Sequence, residues 1–396
     1  MKRITRALLE FWKRETVLSI AIILAVVSMF IIPPDRGYIA YIDIRTLCIL
    51  FCLMTVVAGL GSIGFFEQMA QGLLKRVKNM TGIVGILVLL CFFLSMLITN
   101  DVALITFVPL TIIVMRQLTP KLRQHWMLKT IVMQTIAANL GSMLTPIGNP
   151  QNLYLYEKSG IGILELVMLM LPYTVMALIL LVCWIGIAAF RERRHSVVTE
   201  ETSEDSKKVA ATNNTHKEMK AEGNQNIEVL IAYLLLFAIS LLTVAHILPY
   251  WIPLVLVVLY TVIRKRQILK QVDYSLLGTF AALFIFIGNL GRIPIFSHAL
   301  QTIIDGREIL TAILASQVMS NVPAAILLSG FSDNYTELIV GVNLGGLGTL
   351  IASMASLISF KYVAGEVPEL RGKYLLKFTV ASLIFLGILL TVWYIL

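Results

Sequence analysis

Four clusters of polar residues interrupt an otherwise apolar chain: Thr99-Asn100-Asp101, the stretch 138–152, Ser320-Asn321-Val322-Pro323, and the stretch 343–349. At bilayer depth polar groups cost free energy unless they are paired or line a wet cavity, so such clusters mark function by default. Two of the four are dense in Gly and Pro. They read Asn139-Leu140-Gly141-Ser142-Met143-Leu144-Thr145-Pro146-Ile147-Gly148-Asn149-Pro150-Gln151-Asn152 and Asn343-Leu344-Gly345-Gly346-Leu347-Gly348-Thr349. Gly and Pro break a helix, freeing carbonyls that can ligate a cation and N–H groups that can hold an anion at a half-helix N-terminus. Short Asn, Ser and Thr side chains add neutral ligands, which suits a site that loads and releases small ions. Close helix packing is the competing use of Gly345, Gly346 and Gly348.

Asp101 is the one carboxylate beside a cluster tip. It either exchanges a proton or ligates a cation, or it caps the half-helix that follows. His125, His195, His216, His246 and His298 fall in loops or at membrane edges and support neither a metal site nor a proton relay. Cys48, Cys52, Cys91 and Cys183 form no CxxC and have no His at ligand spacing, so they are expected to be reduced thiols in apolar surroundings. Arg292 and Arg307 are read as interface anchors ahead of anion-attracting groups. With no nucleophile and base pair and no metal motif, an enzyme is not expected.

The elements that position these clusters must be membrane helices. A chain of 396 residues with 58% hydrophobic and 14% charged residues, and a mean hydropathy of +0.85, is an all-α polytopic membrane protein. No polar stretch is long enough for a separate soluble core. The net charge of +9 reflects orientation in the bilayer and not a nucleic-acid partner. Spanning runs are predicted at 16–32, 46–63, 130–155, 161–190, 227–248, 251–263, 274–291, 335–360 and 374–395. After the break at Asp101, the stretch 102–115 would be about 21 Å long as a helix, too short for a hydrocarbon core of about 30 Å. Lys75, Arg76 and Lys78 precede it and Arg116, Lys121, Arg123 and Lys129 follow. A re-entrant hairpin over 81–115, open to the cytoplasm, satisfies both facts.

A second hairpin is expected at 307–331, broken at Ser320-Asn321-Val322-Pro323. Opening it outward leaves only Arg36, Arg45, Lys158, Arg292 and Arg307 outside, whereas a single crossing would move Lys361, Arg371, Lys373 and Lys377 there too. The charge rule favours the hairpin. Lys2, Arg3, Arg6, Lys13 and Arg14 precede an apolar run ending at Pro33-Pro34 with no small-residue cleavage site, so 1–45 is read as a cytoplasmic N-terminus and an uncleaved first helix. The C-terminus is expected outside. A polar linker at 191–226, read as a mobile solvated tether, separates a first repeat (46–190) from two connecting helices (227–273) and a second repeat (274–396).

The two halves align with each other. Gly59-Leu60-Gly61-Ser62-Ile63 answers Asn289-Leu290-Gly291-Arg292-Ile293, and Thr99-Asn100 answers Ser320-Asn321. Asn139-Leu140-Gly141-Ser142 answers Asn343-Leu344-Gly345-Gly346, with Thr145 answering Thr349. With one hairpin opening inward and the other outward, the repeats have inverted topology, the arrangement by which secondary transporters build two access states.

At Thr99-Asn100-Asp101 with Phe107-Val108-Pro109, at Thr145-Pro146-Ile147-Gly148-Asn149-Pro150-Gln151-Asn152 and at Ser320-Asn321-Val322-Pro323, the chain resembles the ion transporter superfamily of citrate and dicarboxylate permeases, arsenite permeases and sodium/proton antiporters. The resemblance runs over nearly the whole chain from about residue 20 and leans toward the citrate-permease-like branch. It implies a homodimer in the cell membrane, with a scaffold and a mobile transport domain working as an elevator. It further implies a substrate site at Thr99, Asn100, Asp101, Asn149, Pro150, Asn152, Ser320, Asn321, Pro323 and Thr349. A cation site is implied at Asn100, Asp101, Asn139, Gly141, Thr145, Gly148, Asn321, Asn343, Gly345 and Gly348. In the dicarboxylate branch both tips read Ser-Asn-Thr; here Asp101 and Val322 hold the third places. The tips are similar to arsenite permeases and the Gly-Asn-Pro-Gln-Asn run to carboxylate carriers. The expected function is transport of a small anion, an organic carboxylate, coupled to sodium or protons, with no cofactor beyond a sodium ion. Efflux of arsenite or antimonite, and sodium/proton exchange through Asp101, are the alternatives.

Overall fold

A computed structural model of the protein describes residue 12 and residues 15–77, 79–196 and 225–396. The basic residues of 1–11 and most of the expected tether, 197–224, lie outside the described residues. All regular elements among the described residues are helical.

The chain opens with α1 (Thr16–Ile31), α2 (Ile44–Ser62) and α3 (Phe65–Leu74). A pair of helices follows, α4 (Met80–Leu94) and α5 (Asn100–Arg116), and then an interrupted helix, α6 (Pro120–Gly141) and α7 (Pro150–Ser159). The 34-residue α8 (Ile163–Ser196) completes this series. After α9 (Gln225–Val244) and α10 (Trp251–Arg264) the same order of elements recurs: α11 (Tyr274–Gly291), α12 (Pro294–Ile304), the pair α13 (Glu308–Met319) and α14 (Asn321–Leu328), the interrupted α15 (Tyr335–Gly345) and α16 (Met354–Glu366), and α17 (Arg371–Ile395).

Local chemistry explains the starts and stops. Asp43 caps α2 by accepting the Thr46 N–H at 3.0 Å, and Asp273 caps α11 by accepting the Leu276 N–H at 2.9 Å. Among the described residues, five helical stretches are long and apolar enough to cross a membrane: Ile44–Ser62, Ile163–Arg191, Ile227–Val244, Tyr274–Gly291 and Pro368–Ile395. The run predicted to cross at 251–263 forms the 14-residue α10, about 21 Å long and short of the bilayer core. The protein is a multi-pass membrane protein.

Helix packing sorts the elements. α1 lies along α11, and α9 and α10 pack on α2. The pair α4 and α5 packs on α6, and the pair α13 and α14 packs on α15. Glycine sets both of these approaches. A Cβ on Gly141 would lie 2.0 Å from the Phe92 carbonyl oxygen and 2.6 Å from Ser95 Oγ, and one on Gly345 would lie 2.7 Å from Ser316 Oγ. Arg292, expected to be an interface anchor, ties α11 to the loop after α1 through an ion pair with Asp35 at 2.8 Å and a hydrogen bond to Tyr41 OH at 3.1 Å.

Candidate substrate and ion site

The two interruptions fall in the Gly- and Pro-rich runs. α6 stops at Gly141 and passes through a short 3-10 turn, Ser142–Leu144, to Asn149 in extended backbone. Asn149 Oδ1 accepts the Asn152 N–H at 3.0 Å and Pro150 takes the first position of α7, where its missing N–H costs nothing. In the second series α15 stops at Gly345, Gly348 adopts φ +112°, and extended Ser353 opens α16. Only glycine tolerates that backbone at Gly348 without strain.

The two interrupted helices bond to one another crosswise. Asn343 on α15 donates through Nδ2 to Asn152 Oδ1 at 2.5 Å, and its Oδ1 accepts from Asn149 Nδ2 at 3.2 Å. Asn139 on α6 donates to Ser356 Oγ at 3.1 Å, and its Oδ1 accepts from Ser353 Oγ at 3.0 Å. All six residues are buried. Asn149 also donates to Ser142 Oγ at 3.1 Å. The result is a buried, uncharged hydrogen-bond network between helix ends, and satisfied networks of this kind hold a specific geometry.

The first tip closes on this network. The Asn100 N–H donates to the Gly148 carbonyl at 3.0 Å and Asn100 Nδ2 to Asn139 Oδ1 at 3.1 Å. Thr145 donates its hydroxyl hydrogen to the Met96 carbonyl. No side chain caps α5, Asp101 included; Asn100, its first residue, accepts the Asp101 N–H through Oδ1 at 2.9 Å. Asp101 Oδ1 is buried and has no hydrogen-bond partner among the described residues. Thr99 is the residue before α5 and is partly buried.

The second tip is built differently. Ser320 joins α13 to α14 at φ +74° and ψ 155°, backbone that non-glycine residues adopt only under strain. Asn321 and Pro323 are buried in the first turn of α14, and Asn321 Nδ2 lies 3.1 Å from where a Cβ on Gly346 would sit. Thr349 is exposed; its N–H donates to Gln317 Oε1 at 2.8 Å. Gln317 was not among the residues expected here, yet its Nε2 donates to the Gly345 and Leu347 carbonyls, each at 2.9 Å. Asn152 does the same in the first break, donating to the Met143 and Thr145 carbonyls at 3.0 and 3.2 Å. Carbonyls freed by each break, expected as cation ligands, are thus held by side-chain amides.

Gln317, Ser353 and Ser356 are residues that the sequence reading did not single out, and Ser142, within the first Gly- and Pro-rich run, was placed in neither site. Gln317 could have been found as an amide in the apolar run of α13. Ser353 and Ser356 stand where Asn149 and Asn152 stand in the first series, beyond Thr349, where the alignment of the halves ended.

Fold and site together define a multi-pass membrane protein in which buried, uncharged polar groups gather where helices break. A family model described as "Citrate transporter" matches residues 5–334, and the chain belongs to that family. It is 35% identical over 363 residues to an uncharacterized transporter of Methanocaldococcus jannaschii, covering 91% of each chain. It is 30% identical over 339 residues to the inner membrane protein YbiR of Escherichia coli, covering 84% of each chain. A 46 kDa membrane protein of Mycobacterium leprae is 21% identical over 346 residues, 80% of this chain and 78% of that one. The protein is a secondary transporter of a small solute and not an enzyme.

Proposed function

We propose that the protein carries small organic carboxylates of the citrate and dicarboxylate type across the cell membrane, coupled to a cation, by elevator-type alternating access in a homodimer. The observation that carries this reading is the crosswise pairing of Asn139 with Ser353 and Ser356 and of Asn343 with Asn149 and Asn152. Two half-helix N-termini, those of α7 and α16, begin within this neutral network, and such ends favour a carboxylate without a fixed positive charge. The repeated order of elements, and the like seating of α4 on Gly141 and of α13 on Gly345, support two inverted repeats moving as one transport domain.

Coupling through Asp101 is favoured over sodium held by backbone carbonyls, because Gln317 and Asn152 already donate to those carbonyls. Asp101 is the one ionisable residue in the four clusters, and its Oδ1 is left for a proton or a cation. Neutralising it removes the repulsion that a carboxylate substrate would otherwise meet. The same free oxygen favours sodium/proton exchange as the second reading.

The test is a thermal-shift series on purified protein with citrate, succinate, other carboxylates, phosphate, sulfate and arsenite, with and without sodium, at neutral and acid pH. A ligand of the folded state at 100 times its Kd stabilises by about 2.7 kcal/mol. One carboxylate is expected to raise the melting temperature, more strongly at acid pH, and to lose that effect in Asn100→Ala and Asn321→Ala. Stabilisation by acid or sodium alone, with every anion silent, would overturn carboxylate transport in favour of exchange.

A further inference from the structure

α6, α8 and α17 enclose a cleft of about 630 Å³. Its walls are apolar, formed mainly by Leu180, Trp184, Ile187, Val380, Ile384 and Phe385. The Trp184 and Phe385 rings lie 5.9 Å apart between the two outer helices. An adjoining hollow of about 480 Å³ shares Cys183 and Ile187 with the cleft and extends along α8 to Arg191. Each helix brings a basic residue to the wall: Lys129 on α6, Arg191 on α8 and Lys377 on α17. Among the described residues no acidic side chain lines either hollow. Lys129 is held in place at 2.7 Å from His125 Nε2 and over the Trp126 ring, while Lys377 is exposed.

About a third of the apolar stretch of α8 and of α17 is buried, so both helices turn most of their apolar surface outward. In a bilayer such surface meets acyl chains, which are as apolar as the leucines they touch. A basic rim beside it selects among headgroups, since lysine and arginine at the membrane surface attract anionic lipids. We infer that this cleft binds an anionic glycerophospholipid, with an acyl chain against Trp184, Ile187, Ile384 and Phe385 and the phosphate-bearing headgroup at Lys129, Arg191 and Lys377. The lipid would brace α6, which carries Asn139, against α17. The Thr135 to Tyr374 hydroxyl contact at 2.9 Å joins the same two helices.

The test reconstitutes the full chain into phosphatidylcholine vesicles containing rising fractions of acyl-brominated phosphatidylglycerol or acyl-brominated phosphatidylcholine. Quenching of Trp184 is taken as the difference from Trp184→Phe. Half-quenching by the glycerol lipid is expected at about fivefold lower mole fraction, the preference one or more surface basic residues confer, and Lys377→Gln should narrow the gap. Equal quenching by both headgroups would overturn the proposal, as would the absence of any Trp184 component, the result a second copy of the chain seated on the cleft would produce. Native mass spectrometry of the parent and the exposed Lys377→Gln variant makes the comparison without touching Trp184; unchanged retention of phosphatidylglycerol also overturns it.

Discussion

Asn139 and Asn343 occupy the same station on the two interrupted helices, and each turns its side chain to the other helix: Asn139 to Ser353 and Ser356, Asn343 to Asn149 and Asn152. In each case the partners are the residue that opens the second half-helix and the one three positions on. The broken ends are therefore held by one another. Movement of one interrupted helix without the other would strand buried amides.

Asn343→Ala removes a donor and an acceptor from buried Asn149 and Asn152. A buried polar group left unsatisfied costs about 1–3 kcal/mol, so a clear fall in melting temperature is expected together with loss of uptake. Asn139→Ala should cost a similar amount: the Ser353 and Ser356 hydroxyls can rotate toward other partners, but the buried Asn100 Nδ2 loses its acceptor. Melting of the two variants side by side in detergent checks this, and an unchanged melting temperature in either would count against the network.

Close approach at Gly141 is against backbone, and at Gly345 it is first against a side chain. Gly141→Ala forces α4 away through the Phe92 carbonyl and is expected to abolish stable expression. Gly345→Ala meets Ser316 Oγ at 2.7 Å and should be milder, with partial recovery in the double variant Gly345→Ala with Ser316→Gly. A methyl group on Gly186 would meet nothing within 4 Å, so Gly186→Ala should be neutral or gain up to about 1 kcal/mol from helix propensity. Yield and melting temperature of the four proteins decide it.

Gln317→Met copies the residue that stands at the matching position of the first pair, Met96, and strips the amide from the Gly345 and Leu347 carbonyls. The variant should melt lower by an amount corresponding to about 1–3 kcal/mol. It should also be stabilised by sodium more than the parent is, since two carbonyls then become available to a cation. A sodium titration of both melts tests this, and an identical response would count against the idea that Gln317 stands in for an ion.

His246 sits in the loop between α9 and α10 at φ +59°, with its Nδ1 accepting from Arg45 Nη2 at 2.7 Å while Arg45 Nε bonds Glu157 Oε2 at 2.6 Å. Burial, and then the Arg45 guanidinium, hold its imidazole below the ordinary value of 6.5. The unfolded chain takes up that proton first, so this contribution to stability is full above 6.5 and declines as pH falls toward the lowered folded value. His246→Asn keeps a residue that tolerates positive φ and removes the titration. The drop in melting temperature between pH 8 and pH 5.5 should be smaller in the variant.

Composition and the four polar clusters were enough to read a helical membrane protein with helix breaks within 138–152 and 343–349, because Gly and Pro act on backbone locally; the second break in fact runs on to Ser353. The short helices α4 and α5, and α13 and α14, were legible for a similar reason: an apolar run too short for two crossings and broken by Asn, Pro or Asp has few other folds. What the broken ends bond to was not legible. Ser353 and Ser356 become partners of Asn139 through the crossing of helices more than 200 positions apart, and side-chain periodicity says which residues share a face but not which distant face they meet. Asp101 illustrates the same limit. Its position at a helix start made capping and ion exchange equally readable from sequence; only the tertiary packing shows that no side chain caps α5 and that Asp101 Oδ1 is buried without a partner among the described residues.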